Sequence, residues 1–278
     1  LAAPDRFGIY VGAWQAAPSP AERKPSAYRV LGTSLAAIAS RIANTHDIQG
    51  PAITVNTACS AGLVAVSQAM RDLRAGAIDY ALVGGLNLIS DDALSTDLSR
   101  AHFLSPTGRC HTFTAKADGY ARSEGGAMLL LARDDGRRPC RALVRGAATN
   151  QNSRRRPMTA VDPVAQERVI RAACADAGVQ PAQVAAVECH GTGTKLGDPV
   201  EVSALAATVG AGRGDGSSCQ LTAAKMLFGH LESGAGALGL IKAVLMAQKK
   251  EVPGDDVPKV NPAVTEAMQG TSLRLPSA

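Results

Sequence analysis

An α/β fold with a largely parallel sheet is what the sequence predicts, and three features carry that expectation. Short aliphatic runs of strand length alternate with longer segments whose apolar residues recur every three or four positions. The alternation runs through both halves of the chain, which we divide into 1-140 and 141-278. Glycine and proline, as at Gly50-Pro51, punctuate the joins. Two such halves imply two packed sheets or a pseudo-repeat, though identity between the halves is too low to demonstrate a repeat.

Taken in order, Phe7 to Gly12 is expected to be a strand beginning almost at the terminus. A connector with Pro18, Pro20 and Pro25 follows. Val30 to Asn44 has helical spacing in Leu31, Leu35, Ile38 and Ile42. Ile53 to Val55 is β-branched and reads as a buried strand. The helix after it carries Leu63, Val66, Met70 and Leu73. Tyr80 to Leu88 is a further strand. Asp91 to Glu124 reads as a long loop with a turn at Ser105-Pro106-Thr107-Gly108, the kind of loop that is usually functional or packed over another surface. Gly126 to Ala132 is a strand, and Arg133 to Pro139 a charged hairpin or linker.

In the second half, Ala142 to Val144 starts a strand. Pro163 to Ala177 is a helix, with Asp162 as its N-cap and Gly178 as its stop. Val184 to Cys189 is a strand, and Pro199 to Val209 a helix capped by Asp198. Cys219 to Ala223 is a strand, and Leu231 to Gln248 a helix with Leu231, Leu238, Ile241 and Leu245 on one face. Lys249 and Lys250 close it, complementing its dipole. Glu251 to Ala278 reads as loop.

The chain has 278 residues, of which 46% are hydrophobic, enough for a substantial core. Its net charge is +5 with 19% charged residues, too sparse a positive density for a nucleic-acid binder. A mildly basic surface suits an acidic protein partner or substrate instead. The six cysteines are Cys59, Cys110, Cys140, Cys174, Cys189 and Cys219, with no CxxC among them. That spacing suggests neither a metal site nor a disulfide framework, so a reducing compartment, cytoplasm or organelle stroma, is expected rather than secretion. No apolar run is long enough for a membrane span. The start has neither a signal-peptide form nor a methionine, so a piece of something longer is expected.

Three motifs carry chemistry. In the first, Cys59 lies where the Ile53 strand turns into a helix, and small neighbours, Ala58, Ser60, Ala61 and Gly62, leave room for a substrate. Free N–H groups and the positive helix end there favour a thiolate, although a small cysteine at such a place can also simply pack. In the second, His190 opens the glycine-rich run Gly191-Thr192-Gly193-Thr194 after a buried strand, where α/β folds put their sites. A phosphate loop is disfavoured, because no Gly-Lys-Ser/Thr ending follows. In the third, His230 follows Lys225 at a helix start, which favours a neutral imidazole, with Lys225 and Glu232 near enough in sequence to share a polar network. His46, His102 and His111 lie in no comparable setting.

Together, Thr57-Ala58-Cys59-Ser60, Glu188-Cys189-His190-Gly191-Thr192-Gly193-Thr194 and Lys225-Met226-Leu227-Phe228-Gly229-His230 resemble the three active-site motifs of β-ketoacyl synthases, most closely the ketosynthase domains of modular or fungal-type polyketide synthases. Ala117 to Gly125 and Gly197-Asp198-Pro199-Val200-Glu201 support the likeness. The resemblance implies a thiolase-like fold, two βαβαβ-type halves stacked in α-β-α-β-α layers. It implies an acyltransferase, active in polyketide or fatty-acid synthesis, that condenses a Cys59-bound acyl group with malonyl-carrier protein as CO₂ is lost. His190 and His230 would hold the enolate, and Lys225 would orient and polarise around His230. Glu232, Thr192, Thr194 and Glu124 would form the supporting network. No metal or cofactor belongs to the chain, since a phosphopantetheine arm on an acyl carrier protein delivers both groups. A homodimer, or part of a multidomain or multisubunit synthase, is implied, with the strand Ile53 to Asn56 paired against its two-fold mate.

The chain departs from the family pattern in places. Asn56 replaces the usual Asp, and Ala223-Ala224 replaces Gly-Ser before Lys225. The family's further N-terminal strand and helix, and its C-terminal Gly-Gly-Thr-Asn-Ala-His-type segment, which normally gives the oxyanion hole an N–H, are not in the sequence. The loop Asn150 to Arg156 is unusually basic, a solvated loop or a docking patch for an acidic carrier. Two other readings remain at this point: a non-catalytic ketosynthase-like structural subunit, and another thiolase-fold enzyme. The last is disfavoured by the two-histidine pattern, because thiolases typically use a second cysteine.

Overall fold

The computed structural model of the protein describes residues 3–14, 28–152, 157, 159–214, 216–254 and 257–275. The proline-bearing connector and Arg154 to Arg156 of the basic loop lie outside the described residues. The chain forms two compact units. One comprises Leu1–Thr96, Arg122–Cys140 and Leu231–Ile241, the other Asp97–Ala121, Arg141–His230 and Lys242–Ala278.

In the first unit, β1 (Phe7–Gly12) is the buried centre of the sheet, with Ile9, Tyr10 and Val11 fully enclosed. The expected single helix is broken into α1 (Arg29–Thr33) and α2 (Ala36–Thr45), because Ser34 between them is extended. Next come β2 (Ala52–Val55), α3 (Ala61–Arg74), β3 (Tyr80–Asn87), the first part of α4 (Ala93–Arg100) and β4 (Gly125–Ala132). The sheet order is β2-β1-β3-β4, with β1 parallel to both β2 and β3 and β4 antiparallel to β3. Ile9, Val11, Ala39 and Ala43 form a core between the sheet and α2.

The face of α3 differs from expectation. Val66, Met70 and Leu73 are buried, but Leu63 is 48% exposed, and the buried row is completed by Ala61, Ala65 and Ala69. Small residues serve here because α3 lies close on the sheet: a Cβ on Gly12 would fall on the Ala61–Gly62 backbone. Helix α4 lies inside the stretch expected to be loop. None of its residues is buried, so it carries no apolar stripe to reveal it.

The second unit contains α5 (Pro163–Ala177), β5 (Ala186–Glu188), α6 (Gly197–Ala206), β6 (Cys219–Thr222), α7 (Lys225–Phe228), part of α8 (Ala235–Lys249), α9 (Pro262–Met268) and β7 (Leu273–Arg274). Its sheet is parallel, in the order β5-β6-β7. Val202, Leu205, Val209, Leu221, Val264 and Leu273 lie at its core. Asp162 accepts from the Val164 and Ala165 N–H groups at the start of α5, and Gly178 ends it with φ of 65°.

Four expectations fail in this half. Ala142 to Val144 forms no strand among the described residues, because a strand needs a partner ladder and none pairs there. The helix expected from Pro199 begins at Gly197 instead, and Asp198 does not cap it: its carboxylate accepts from the Phe113 N–H (2.8 Å) and the Gly193 N–H (3.1 Å), in neighbouring loops. The helix expected from Leu231 begins at Ala235, after a 3-10 turn at Glu232–Gly234, and Leu245 is exposed. The expected C-terminal loop contains α9 and β7, although Asn261, which accepts from the Ala263 N–H, and Pro262 are recognisable helix-start residues.

Candidate active site

Within the first unit, β2 ends at Val55 and the backbone turns sharply before α3. Ala58 takes a left-handed conformation, φ 52°, which costs an L-residue about 1–2 kcal/mol. The turn is held locally. The Asn56 side chain accepts from the Ala58 N–H (3.3 Å) and donates to the Trp14 carbonyl (3.1 Å). The Ser60 hydroxyl donates to the Thr57 carbonyl (2.8 Å). Cys59, half-buried, is thereby set just ahead of the first turn of α3. Four other thiols, Cys110, Cys174, Cys189 and Cys219, have their pKa pushed up by burial, Cys219 to about 11, which keeps them protonated.

Glu232 sits in the same unit, 0% exposed, with φ 45°. Arg122, 5% exposed, meets it bidentately, Nε to Oε1 at 2.7 Å and Nη2 to Oε2 at 2.9 Å. The remaining Nη1 donates to the Ser95 hydroxyl (2.7 Å). The expected neighbours of Glu232 were Lys225 and His230; Arg122 was not singled out. Glu124 is exposed, and its Oε1 accepts from the Ile89 N–H at 2.6 Å.

Within the second unit, the two histidines come together. Their rings lie edge to face, centroids 5.6 Å apart, and the Tyr120 ring packs edge-on to His230 at 5.1 Å. His230 is 1% exposed, and its backbone N–H donates to the Ala121 carbonyl (2.7 Å). Desolvation, then the Lys225 charge and His190, pull its pKa down to about 2. Desolvation and Lys225 lower His190 as well, but His190 is open to solvent, and water there screens the effect. Lys225 is buried at the start of α7.

The loop after His190 is pinned at several points. Glu201 on α6 accepts from the His190 N–H (2.6 Å) and the Gly191 N–H (2.8 Å). The Thr112 hydroxyl donates to the Gly191 carbonyl (2.6 Å), and the Gly119 N–H donates to the Gly193 carbonyl (3.1 Å). Gly193 has φ 79°, and a Cβ there would lie 2.6 Å from the His111 nitrogen, so glycine is required. Thr192 is buried, and the Thr194 hydroxyl accepts from the Gly197 N–H (3.1 Å). Glu201 went unassigned in the sequence and Asp198 was expected only as a helix cap, although both stand in the Gly197 to Glu201 segment that supports the resemblance. Among the described residues, no group of three or more His, Cys, Asp or Glu could hold a metal ion.

The turn that presents Cys59 and the edge-to-face His190–His230 pair beside Lys225 each fit the three-motif pattern, and comparison with known proteins decides the family. The family model described as Beta-ketoacyl synthase, N-terminal domain, matches residues 2–136, and Beta-ketoacyl synthase, C-terminal domain, matches residues 141–255. The chain belongs to the β-ketoacyl synthase family.

It is 44% identical over 269 residues to a phenolphthiocerol/phthiocerol polyketide synthase of Mycobacterium tuberculosis, covering 93% of this chain and 15% of that protein. It is 42% identical over 239 residues to the mycoketide-CoA synthase of the same species, covering 83% of this chain and 6% of that one. Among solved structures it resembles the oxazolomycin ketosynthase domain of Streptomyces albus, with a TM-score of 0.88, 30% identity, and 99% of this chain against 50% of that one. The ketosynthase from module 6 of the bacillaene synthase of Bacillus subtilis gives a TM-score of 0.86 and 30% identity, covering 98% of this chain and 48% of that one. The fold of this ketosynthase is therefore thiolase-like. The chain spans about half the length of the solved ketosynthases it matches and a small part of the curated synthases. Among the described residues, no helix is long and apolar enough to cross a membrane.

Proposed function

We propose that this ketosynthase joins a Cys59-bound acyl group to a malonyl unit with loss of CO₂. The observation that carries this reading is the His190–His230 pair, 5.6 Å apart, with Lys225 depressing the pKa of both rings. When a malonyl thioester loses CO₂, the electron pair of the breaking C–C bond moves into the thioester, and negative charge develops on its carbonyl oxygen. Two preorganised imidazole N–H donors bind that oxygen more tightly as charge grows, so they stabilise the transition state more than the ground state. The enolate carbon then attacks the acyl carbon on Cys59. The C–S bond breaks, and the sulfur leaves as thiolate, ready for the next acyl group.

In this scheme Lys225 keeps the rings neutral, Thr192 and Thr194 shape the His190 loop, Glu232 anchors Arg122, and Glu124 braces the backbone at Ile89. Acyl and malonyl groups arrive on the phosphopantetheine arm of an acyl carrier protein, with no cofactor in this chain. Polyketide assembly is favoured over fatty-acid synthesis by the named relatives. We place the homodimer contact at β2, which pairs only with β1 among the described residues and leaves one edge open.

A two-part assay tests the reading: transfer of a radiolabelled acyl group to Cys59, and CO₂ release from malonyl-carrier protein. His190→Ala and His230→Ala should each lower CO₂ release about 100- to 1000-fold while Cys59 still loads, because losing one preorganised donor costs that much. Wild-type protein inactive in both parts would leave the non-catalytic structural subunit as the standing alternative.

A further inference from the structure

Glu188 is the last residue of β5, two residues before His190. Its Oε1 accepts from the N–H of Ala224 at 2.5 Å, and Ala224 directly precedes Lys225. Its Oε2 meets the Lys242 ammonium on α8 at 3.0 Å, with both side chains largely buried. Lys242 also donates to the Thr222 hydroxyl at the end of β6. One carboxylate therefore straps the exit of β5, which leads to His190, to the exit of β6, which leads to Lys225 and His230. Backbone pairing between those strands ends at Glu188 and Thr222, apart from the Cys189 N–H donating to the Thr222 carbonyl (2.7 Å). Beyond that point the strap takes over from the ladder.

We propose that Glu188 and Lys242 form a positioning pair that holds the His190 and Lys225 loops in register for decarboxylation. The proposal rests on the decarboxylation reading above and adds two residues that touch no reacting atom. Lys242 is needed because the carboxylate it serves is desolvated. Burial pushes the Glu188 pKa up, and the Ala224 N–H, Lys242 and Lys225 hold it back. The charged or titratable groups facing Glu188 are Lys242 on α8, Lys225 on α7 and the Cys189 thiol beside it, which burial keeps protonated. Without Lys242 the Glu188 pKa rises further. The carboxylate then takes up a proton as pH falls, and its grip on the Ala224 N–H weakens. His230, buried, has a depressed pKa and stays neutral through the same range, and any titration of the solvent-open His190 is common to wild type and variants, so the difference between their profiles reports Glu188.

The test compares Lys242→Met, Lys242→Arg and the double variant Lys242→Met with Glu188→Gln. CO₂ release and the imidazole ¹⁵N resonances of His190 and His230 are followed between about pH 6 and 8.5, a range spanning the ordinary histidine pKa. Lys242→Met should lower CO₂ release about 10- to 100-fold, the scale of a small misplacement, and increasingly so at lower pH. Its imidazole resonances should move, Lys242→Arg should recover most of the rate, and the double variant should lose the added pH dependence. Lys242→Met with wild-type rate, profile and resonances would overturn the pair. So would a loss that is equal at every pH, unmoved by Lys242→Arg and silent in the resonances, because that marks general loss of fold. If the wild type releases no CO₂, the decarboxylation reading fails. The resonances alone then judge the pair, shifted signals supporting it and unshifted ones overturning it.

Discussion

At Asn56 the departure from the family pattern has a use in this chain. Its amide donates to the Trp14 carbonyl and accepts from the Ala58 N–H, and a carboxylate could do only the second. The residue thus ties the turn that presents Cys59 to the end of β1. Arg122 is the other informative residue. It meets both carboxylate oxygens of Glu232 in nearly complete burial, so removing it breaks a buried, bidentate ion pair. Arg122→Met should therefore cost about 3–5 kcal/mol in stability, measured by urea denaturation. A cost below about 1 kcal/mol would mean that Glu232 has other partners that suffice. Neither role was legible from local sequence, because each depends on a partner that only folding brings near.

Among the elements, those defined by local chemistry were legible. Strand β1 matches its apolar run, and α5 matches its Asp162 and Gly178 signals, because caps and turns are read within a few residues. Elements whose stability comes from elsewhere were not. Helix α4 buries no side chain, and among the described residues β7 is a two-residue strand that pairs only with β6 and Ala142 to Val144 has strand-like residues but no ladder partner. Strand β2 carries a prediction of its own. Pro51 and Val55 carbonyls accept from the Ile9 and Ala13 N–H groups, so by alternation the Thr54 N–H points away from β1 toward the open edge. If β2 pairs with its two-fold mate, the Thr54 amide should exchange slowly with deuterium at high protein concentration and faster on dilution. Fast exchange at every concentration, with a monomer in sedimentation velocity, would remove the dimer contact from β2.

For the whole molecule, the three motifs were legible because each sits at the end of a strand, where local pattern and chemistry coincide. The spacing of the imidazoles was not, and the neutral His230 expected from a helix start owes its depressed pKa first to desolvation, then to Lys225 and His190, which only folding brings around it. Desolvation and Lys225 hold the His230 imidazole neutral for enolate stabilisation, and Lys225 pulls His190 the same way. Lys225 lowers both pKa values, so replacing it with alanine lets them rise, and imidazolium then forms as pH falls. The most direct measurement is the pH profile of CO₂ release from malonyl-carrier protein by wild type and Lys225→Ala. The wild type should hold its rate from about pH 8 to 5, on both sides of the ordinary histidine pKa, and Lys225→Ala should be slower and lose rate progressively as pH falls through that range. A wild-type rate that halves near the ordinary histidine pKa, or a Lys225→Ala profile parallel to the wild type, would contradict the claim.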